Sequence, residues 1–236
     1  MHTENMVLTF TLEQESTSAV LIGEDGEEIL CSVCPRTEKE ISPESLQKGL
    51  QEAFKGLGEP FGEPVRKVRA LVLHDRLKGF MPFDRTFGLL GPYRGGSEKN
   101  TEAAAYLADL FDTALSPDAA VVHLYQAMRR GDPSLDLLNH ICTPQTWLGR
   151  KLTGEFAADT ADAGDMFPLL PDGSAYDPDL QSCFNALVEA DGYPWRVQHL
   201  LPEIREAGQA IGILTPEGAF FVDPGCHLKP GIPVLG

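Results

Sequence analysis

Apolar and β-branched residues open the chain in short bursts. Residues 6–11 (M-V-L-T-F-T) predict a first strand and residues 19–22 (A-V-L-I) a second. Gly23-Glu24-Asp25-Gly26 carries the Asp-Gly hairpin signal, so residues 27–33 predict a third strand. The period then changes. Ser42-Pro43 starts a helix that repeats Leu46, Leu50, Phe54 and Leu57 on one face and stops at Gly58. Residues 68–73 are a nearly unbroken apolar run, the pattern of a buried central strand, and residues 80–83 predict another strand. Helical spacing returns at 97–111, with Ala103, Leu107, Leu110 and Phe111. It returns again after Ser116-Pro117, Thr143-Pro144 and Asp177-Pro178, each a cap followed by a first-turn proline. Asp162 and Asp165 read as part of a Gly/Ala-rich turn, residues 171–178 as a loop, and residues 211–236 as short strands and turns. Strands early and helices later on one sheet predict a single α/β domain over residues 1–236.

Charge narrows the function classes. Nineteen basic against 35 acidic residues leave a net charge of −16 with no basic patch, which excludes nucleic acid and anionic membrane surfaces as expected partners. No apolar run approaches the ~18 residues of a membrane span, and Met1-His2-Thr3-Glu4-Asn5 lacks a basic leader, so the expected location is the cytoplasm. Of five cysteines, only Cys31-Ser32-Val33-Cys34 has metal-like spacing, with Cys226-His227 as a weak partner. Residues three apart on a strand face opposite sides and no second cysteine pair exists, so no zinc site is expected and the thiols read as free and buried. His74 and Asp75 are adjacent on a strand exit and point apart, a poor acid–base pair.

The densest chemistry lies between His123 and Pro233. There the chain strings together H-L-Y-Q-A, T-P-Q-T-W-L-G-R-K-L-T-G-E, D-A-G-D-M-F-P, Y-P-W, I-L-T-P-E-G-A and G-I-P-V. Carboxylates at Asp162 and Asp165 can accept hydrogen bonds from a polyol's hydroxyls, or can cap the turn that holds them. In this order the motifs resemble the xylulokinase branch of the FGGY carbohydrate kinases, over residues 7–234. The resemblance implies an actin-like ATPase (ribonuclease-H-like) domain with a mixed central sheet flanked by helices, the amino-terminal one of the two that build such kinases. It implies ATP and magnesium as cofactors of the intact family, and a sugar site to which Asp162, Lys78 and Arg94 contribute. It also matches Ser16 and Thr17 to a hydroxyl pair in the family's phosphate hairpin.

The departures from the family pattern are specific. The hairpin glycine is replaced by glutamate, Glu13 or Glu15, which brings bulk and negative charge to a phosphate site. The family's Met-His-Gly becomes Leu77-Lys78-Gly79, and its Trp-Arg-Asn maps onto Gly95-Gly96-Ser97, with Arg94 close by. The base loop, G-D-A-G-x-G in the family, is expected beyond Gly236, so no catalytic residue and no bound cofactor is expected within these residues; the second, nucleotide-binding domain is expected to be absent. The first reading is therefore the sugar-binding half of a xylulokinase-like kinase, inactive in isolation. The alternative is a stand-alone sugar-binding or protein-interaction module, with self-association or a partner domain covering the surface such a half exposes.

Overall fold

The computed structural model describes residues 5–36, 40–58, 65–95 and 100–236. Residues 1–4 of the amino terminus, and Gly96-Ser97 of the eroded sugar loop, lie outside the described residues. In chain order the elements are β1 (Met6–Leu12), β2 (Ser16–Ile22), β3 (Glu28–Pro35), α1 (Pro43–Gly56), β4 (Val68–Asp75), β5 (Gly79–Phe83), β6 (Arg94–Gly95), α2 (Thr101–Phe111), α3 (Ala120–Arg129), β7 (His140–Cys142), α4 (Pro144–Thr153), β8 (Ala157–Asp159), α5 (Thr160–Met166), α6 (Pro178–Ala190), α7 (Val197–Leu200), β9 (Glu203–Arg205), β10 (Gly212–Ile213), α8 (Pro216–Val222) and β11 (Pro233–Leu235). They form two compact units. The first comprises Met1–Arg76, Pro144–Asp159 and Ala207–Gly236; the second comprises Leu77–Thr143 and Thr160–Glu206.

The first unit is built on a mixed sheet of order β10-β11-β4-β1-β2-β3. The meander β1-β2-β3 is antiparallel, and β4 runs parallel to β1 with Phe10 opposite Leu73. β11 extends the sheet parallel to β4. Leu8, Phe10, Leu12, Leu21, Leu71 and Leu73 are fully buried, so alternate positions of neighbouring strands supply the core. Helix α1 covers β2 and β3. Ser42 and Ser45 form a reciprocal capping box at its start, and Leu46, Leu50, Ala53 and Phe54 point inward.

The carboxyl-terminal stretch departs from the expected strands and turns, because it contains α8. Thr215 accepts from the Gly218 N–H at 2.9 Å and donates to the Leu152 carbonyl at 3.1 Å, while Pro216 suits the first turn. Gly218 then lies directly on the Leu152 backbone, where an added Cβ would meet the carbonyl oxygen at 2.1 Å.

The second unit holds a small sheet of order β6-β5-β7 and its own core, including Phe80, Leu107, Leu124, Phe167, Phe184 and Trp195. Trp195 donates its indole N–H to the Leu135 carbonyl at 2.8 Å, which satisfies the one polar atom of a buried ring. Two expectations are corrected here. The helix predicted from Ser116 begins at Ala120, because Ala119 is extended (ψ 143°) and Ser116 closes only a local turn on the Asp118 N–H. The stretch read as a turn around Asp162 and Asp165 is the helix α5, with Asp162, Ala163 and Met166 buried. The thiols are also corrected: all five are free, but only Cys142 is buried, while Cys31, Cys183 and Cys226 are exposed.

Candidate functional site

Asp162 opens the first turn of α5 and is only 7% exposed. Its carboxylate accepts from the Thr143 hydroxyl at 2.8 Å. A buried carboxylate needs such donors, because desolvation without them is strongly unfavourable. The Tyr176 ring packs edge-on to Phe167 at 6.5 Å. Its hydroxyl is buried and has no hydrogen-bond partner among the described residues. Burial first, and the negative charge of Asp162 second, push the Tyr176 phenol well above its ordinary range. Asp162 supplies an acceptor and Tyr176 a donor that the fold leaves unused.

Lys78 and Arg94 flank a tight crossing of β5 and β6. Gly79 pairs with Gly95 there, and an added Cβ on either would come within 2.0 Å of a carbonyl oxygen of the opposite strand. Glycine at both positions is what lets the strands meet (Gly79 also has φ 128°). Tyr93 donates its hydroxyl to the Lys78 carbonyl at 2.5 Å and so fixes the loop. The Lys78 ammonium pairs with Asp165, one turn along α5 from Asp162. Arg94 pairs with Asp132 and donates to the Ser134 hydroxyl at 3.1 Å. Burial raises the Asp132 pKa, but bonds from the Ser134 hydroxyl and N–H and the charge of Arg94 outweigh it, and the net shift is downward. Both cations thus have carboxylate partners inside the second unit, and a ligand would share them.

Ser16 and Thr17 belong to the first unit. Ser16 donates to the Glu13 carboxylate at 3.2 Å, and the other oxygen of that carboxylate binds Arg76 at 3.0 Å. Thr17 is buried, with its side chain toward α1. The hairpin therefore turns one hydroxyl to its own glutamate and buries the other, while presenting Glu13 and Glu15. These residues do not fit a nucleotide's phosphate tail, which needs free donors and close backbone approach. Asp75, at the end of β4, accepts from the Gln145 N–H at 3.2 Å and so caps α4; His74 is exposed beside it.

The sequence singles out Asp162 but neither Thr143 nor Tyr176 as its neighbours in the fold. Thr143 has the pattern of a helix cap, and Tyr176 sits in a Gly/Ser/Asp loop with no pattern to single it out. No signal along the chain links residues 19 positions apart, as Thr143 and Asp162 are.

No family model matches the sequence, and no curated protein is similar to it at a meaningful level. Solved structures do match. A xylulose kinase from Rhodospirillum rubrum superposes with a TM-score of 0.78 at 17% identity, over 98% of this chain and 49% of that one. A xyloylose kinase from Brucella ovis gives 0.76 at 17% identity, over 98% and 48%. Plasmodium falciparum glycerol kinase with ADP gives 0.68 at 15% identity, over 99% and 48%. The chain spans about half the length of these structures, and the half it fits is the amino-terminal domain. It has the actin-like ATPase fold of the carbohydrate kinases.

Proposed function

We propose that these residues form the sugar-binding half of a xylulokinase-like member of the FGGY carbohydrate kinases, located in the cytoplasm. They bind a ketose or related polyol without phosphorylating it by themselves. The observation that carries the reading is the buried Asp162 carboxylate, anchored by Thr143 beside the unpartnered Tyr176 hydroxyl. A sugar hydroxyl that meets both satisfies both, and Lys78 and Arg94 are the candidate donors for its other oxygens. In a kinase of this kind the nucleotide would supply the transferred phosphoryl group and magnesium would offset its charge. The hairpin here does not fit that group. The same misfit, with Glu13 locked to Arg76, favours the second reading, a non-catalytic sugar-binding module.

The test is calorimetric titration of the 236-residue chain with xylulose and several other ketoses, alongside a coupled assay for ADP release. Saturable binding is expected, weakened about 10–100-fold by Asp162→Ala, since a hydrogen bond to a charged group contributes about 1.5–3 kcal/mol. Binding that Asp162→Ala leaves unchanged would remove Asp162 from the site. Sugar-dependent ADP release that the substitution abolishes would show an active kinase.

A further inference from the structure

The six-stranded sheet of the first unit has two unlike faces. Leu8, Phe10, Leu21, Leu71 and Leu73 point to one of them and are fully buried. Helix α1 lies on that side, because a Cβ on Gly49 would touch Thr17, which shares a face with Leu21. Helix α8 packs on both α1 and α4, and α4 packs on β4. The helices of this unit are thus gathered on one face. The alternate residues of each strand point the other way. There Val7 stands opposite Ile22, and Thr9 is flanked by Val20 and Val72. Val7, Val20, Ile22 and Val72 are only half-buried, although they sit on inner strands of the sheet. A covered face would bury them as fully as the leucines behind them. Val33, outward on the edge strand β3, is 59% exposed. Carboxylates gather at the strand ends, at Glu13, Glu15, Glu24, Asp25 and Glu28, and leave the middle of the face uncharged.

We propose that this face is a homodimer interface, on which a second copy of the chain packs sheet against sheet through the same patch. Area supports that occupant. Four strands about 4.8 Å apart, each about seven residues of about 3.3 Å, span roughly 450 Å² per copy, or about 900 Å² of plane for the pair. Side chains standing off the plane, with the short strands β10 and β11, carry the buried accessible area past the roughly 1,000 Å² that a specific interface needs. Charge points the same way. A patch that meets its own copy sets like against like, so it has to be uncharged, and an uncharged patch offers nothing to a basic segment or a nucleic acid. The two copies, each of net charge −16, still repel as wholes, so salt should tighten the dimer. The face belongs to the first unit, whereas Asp162, Lys78 and Arg94 belong to the second, so the proposal stands apart from the sugar site.

Sedimentation equilibrium of the full chain from about 1 to 200 μM tests it, under reducing conditions because Cys31 on the same strand as Val33 is exposed. The weight-average mass is expected to climb from one chain towards two, and to do so at lower concentration in about 0.5 M than in about 0.05 M sodium chloride. Val20→Lys inside the face and Val33→Lys at its edge should each raise the dimer Kd about tenfold or more. Ser18→Lys, which replaces a half-buried polar residue of the same face, keeps the test valid if Val20→Lys folds poorly. Phe220→Lys puts the same charge on α8, at a side chain already 59% exposed on the helix-covered side, and should change nothing. A chain that stays monomeric to about 200 μM overturns the proposal. So does a dimer loosened by Phe220→Lys, or one loosened by Val33→Lys but by neither β2 variant, which would be pairing along the β3 edge.

Discussion

Replacing Tyr176 by phenylalanine separates the buried phenol's chemistry from its packing. The ring keeps its edge-on contact with Phe167 at 6.5 Å, and only the oxygen is lost. That oxygen has no partner among the described residues, so the folded state bears its desolvation without compensation, about 1–3 kcal/mol. At neutral pH the variant should therefore be as stable as the parent or more stable by about 1 kcal/mol, a rise in Tm of roughly 2–4 °C for a chain of this size. The alkaline side is sharper. The folded pKa is raised, by burial first and by Asp162 second, above the unfolded value of about 10. A raised acid keeps its stabilising contribution below the unfolded pKa and loses it as pH climbs towards the folded one. In that window the parent should lose about 1.4 kcal/mol per pH unit through this group alone, and Tyr176→Phe should not. Tyr125 and Tyr193 are also shifted upward by partial burial, but both are present in parent and variant and cancel in the difference. Urea unfolding at a series of pH values from neutral to about 11 reads the effect, with tyrosinate absorbance locating the ionisation. A loss of more than about 1 kcal/mol at neutral pH would refute the reasoning, because it would mean that the hydroxyl has a partner in the fold. Parallel pH curves for the two proteins would refute the assigned shift.

Two glycines in helices should respond with opposite signs. Gly218→Ala drives a methyl against the Leu152 carbonyl and should lower stability by about 2–3 kcal/mol, or Tm by roughly 5–10 °C. Gly164→Ala in α5 meets only the Leu169 Cδ1 at 3.7 Å and should gain about 0.5–1 kcal/mol from helix propensity. Calorimetric melting of both variants checks the pair, and a stabilising Gly218→Ala would contradict the close helix contact. Magnesium-ATP titrated into the chain should bind more weakly than about 100 μM, or about 5.5 kcal/mol, because Glu13 and Glu15 face the hairpin. Tighter binding would show that the hairpin accommodates phosphate despite its carboxylates.

Local pattern alone determined much of this protein. The meander β1-β2-β3, the helix started by Ser42-Pro43 and the one started by Asp177-Pro178 follow from periodicity and capping, which act between neighbours in the chain. The order of motifs also pointed to the actin-like fold before any contact was known. Tertiary structure decided the rest. Small residues and two aspartates between 160 and 166 look like a turn, and only the burial of Asp162, Ala163 and Met166 on one face makes the segment a helix. The pairing of β1 with β4 and of β4 with β11 joins strands far apart in sequence, so no window along the chain contains it. The same holds for the partners that decide what each charge can do. Lys78 meets Asp165 across 87 positions, and Arg76 meets Glu13 across 63. Whether a polar side chain is free to bind a ligand depends on which groups the fold has already brought within hydrogen-bond reach. Sequence names the donors and acceptors; packing leaves the Tyr176 hydroxyl unpaired among the described residues and pairs most of the others.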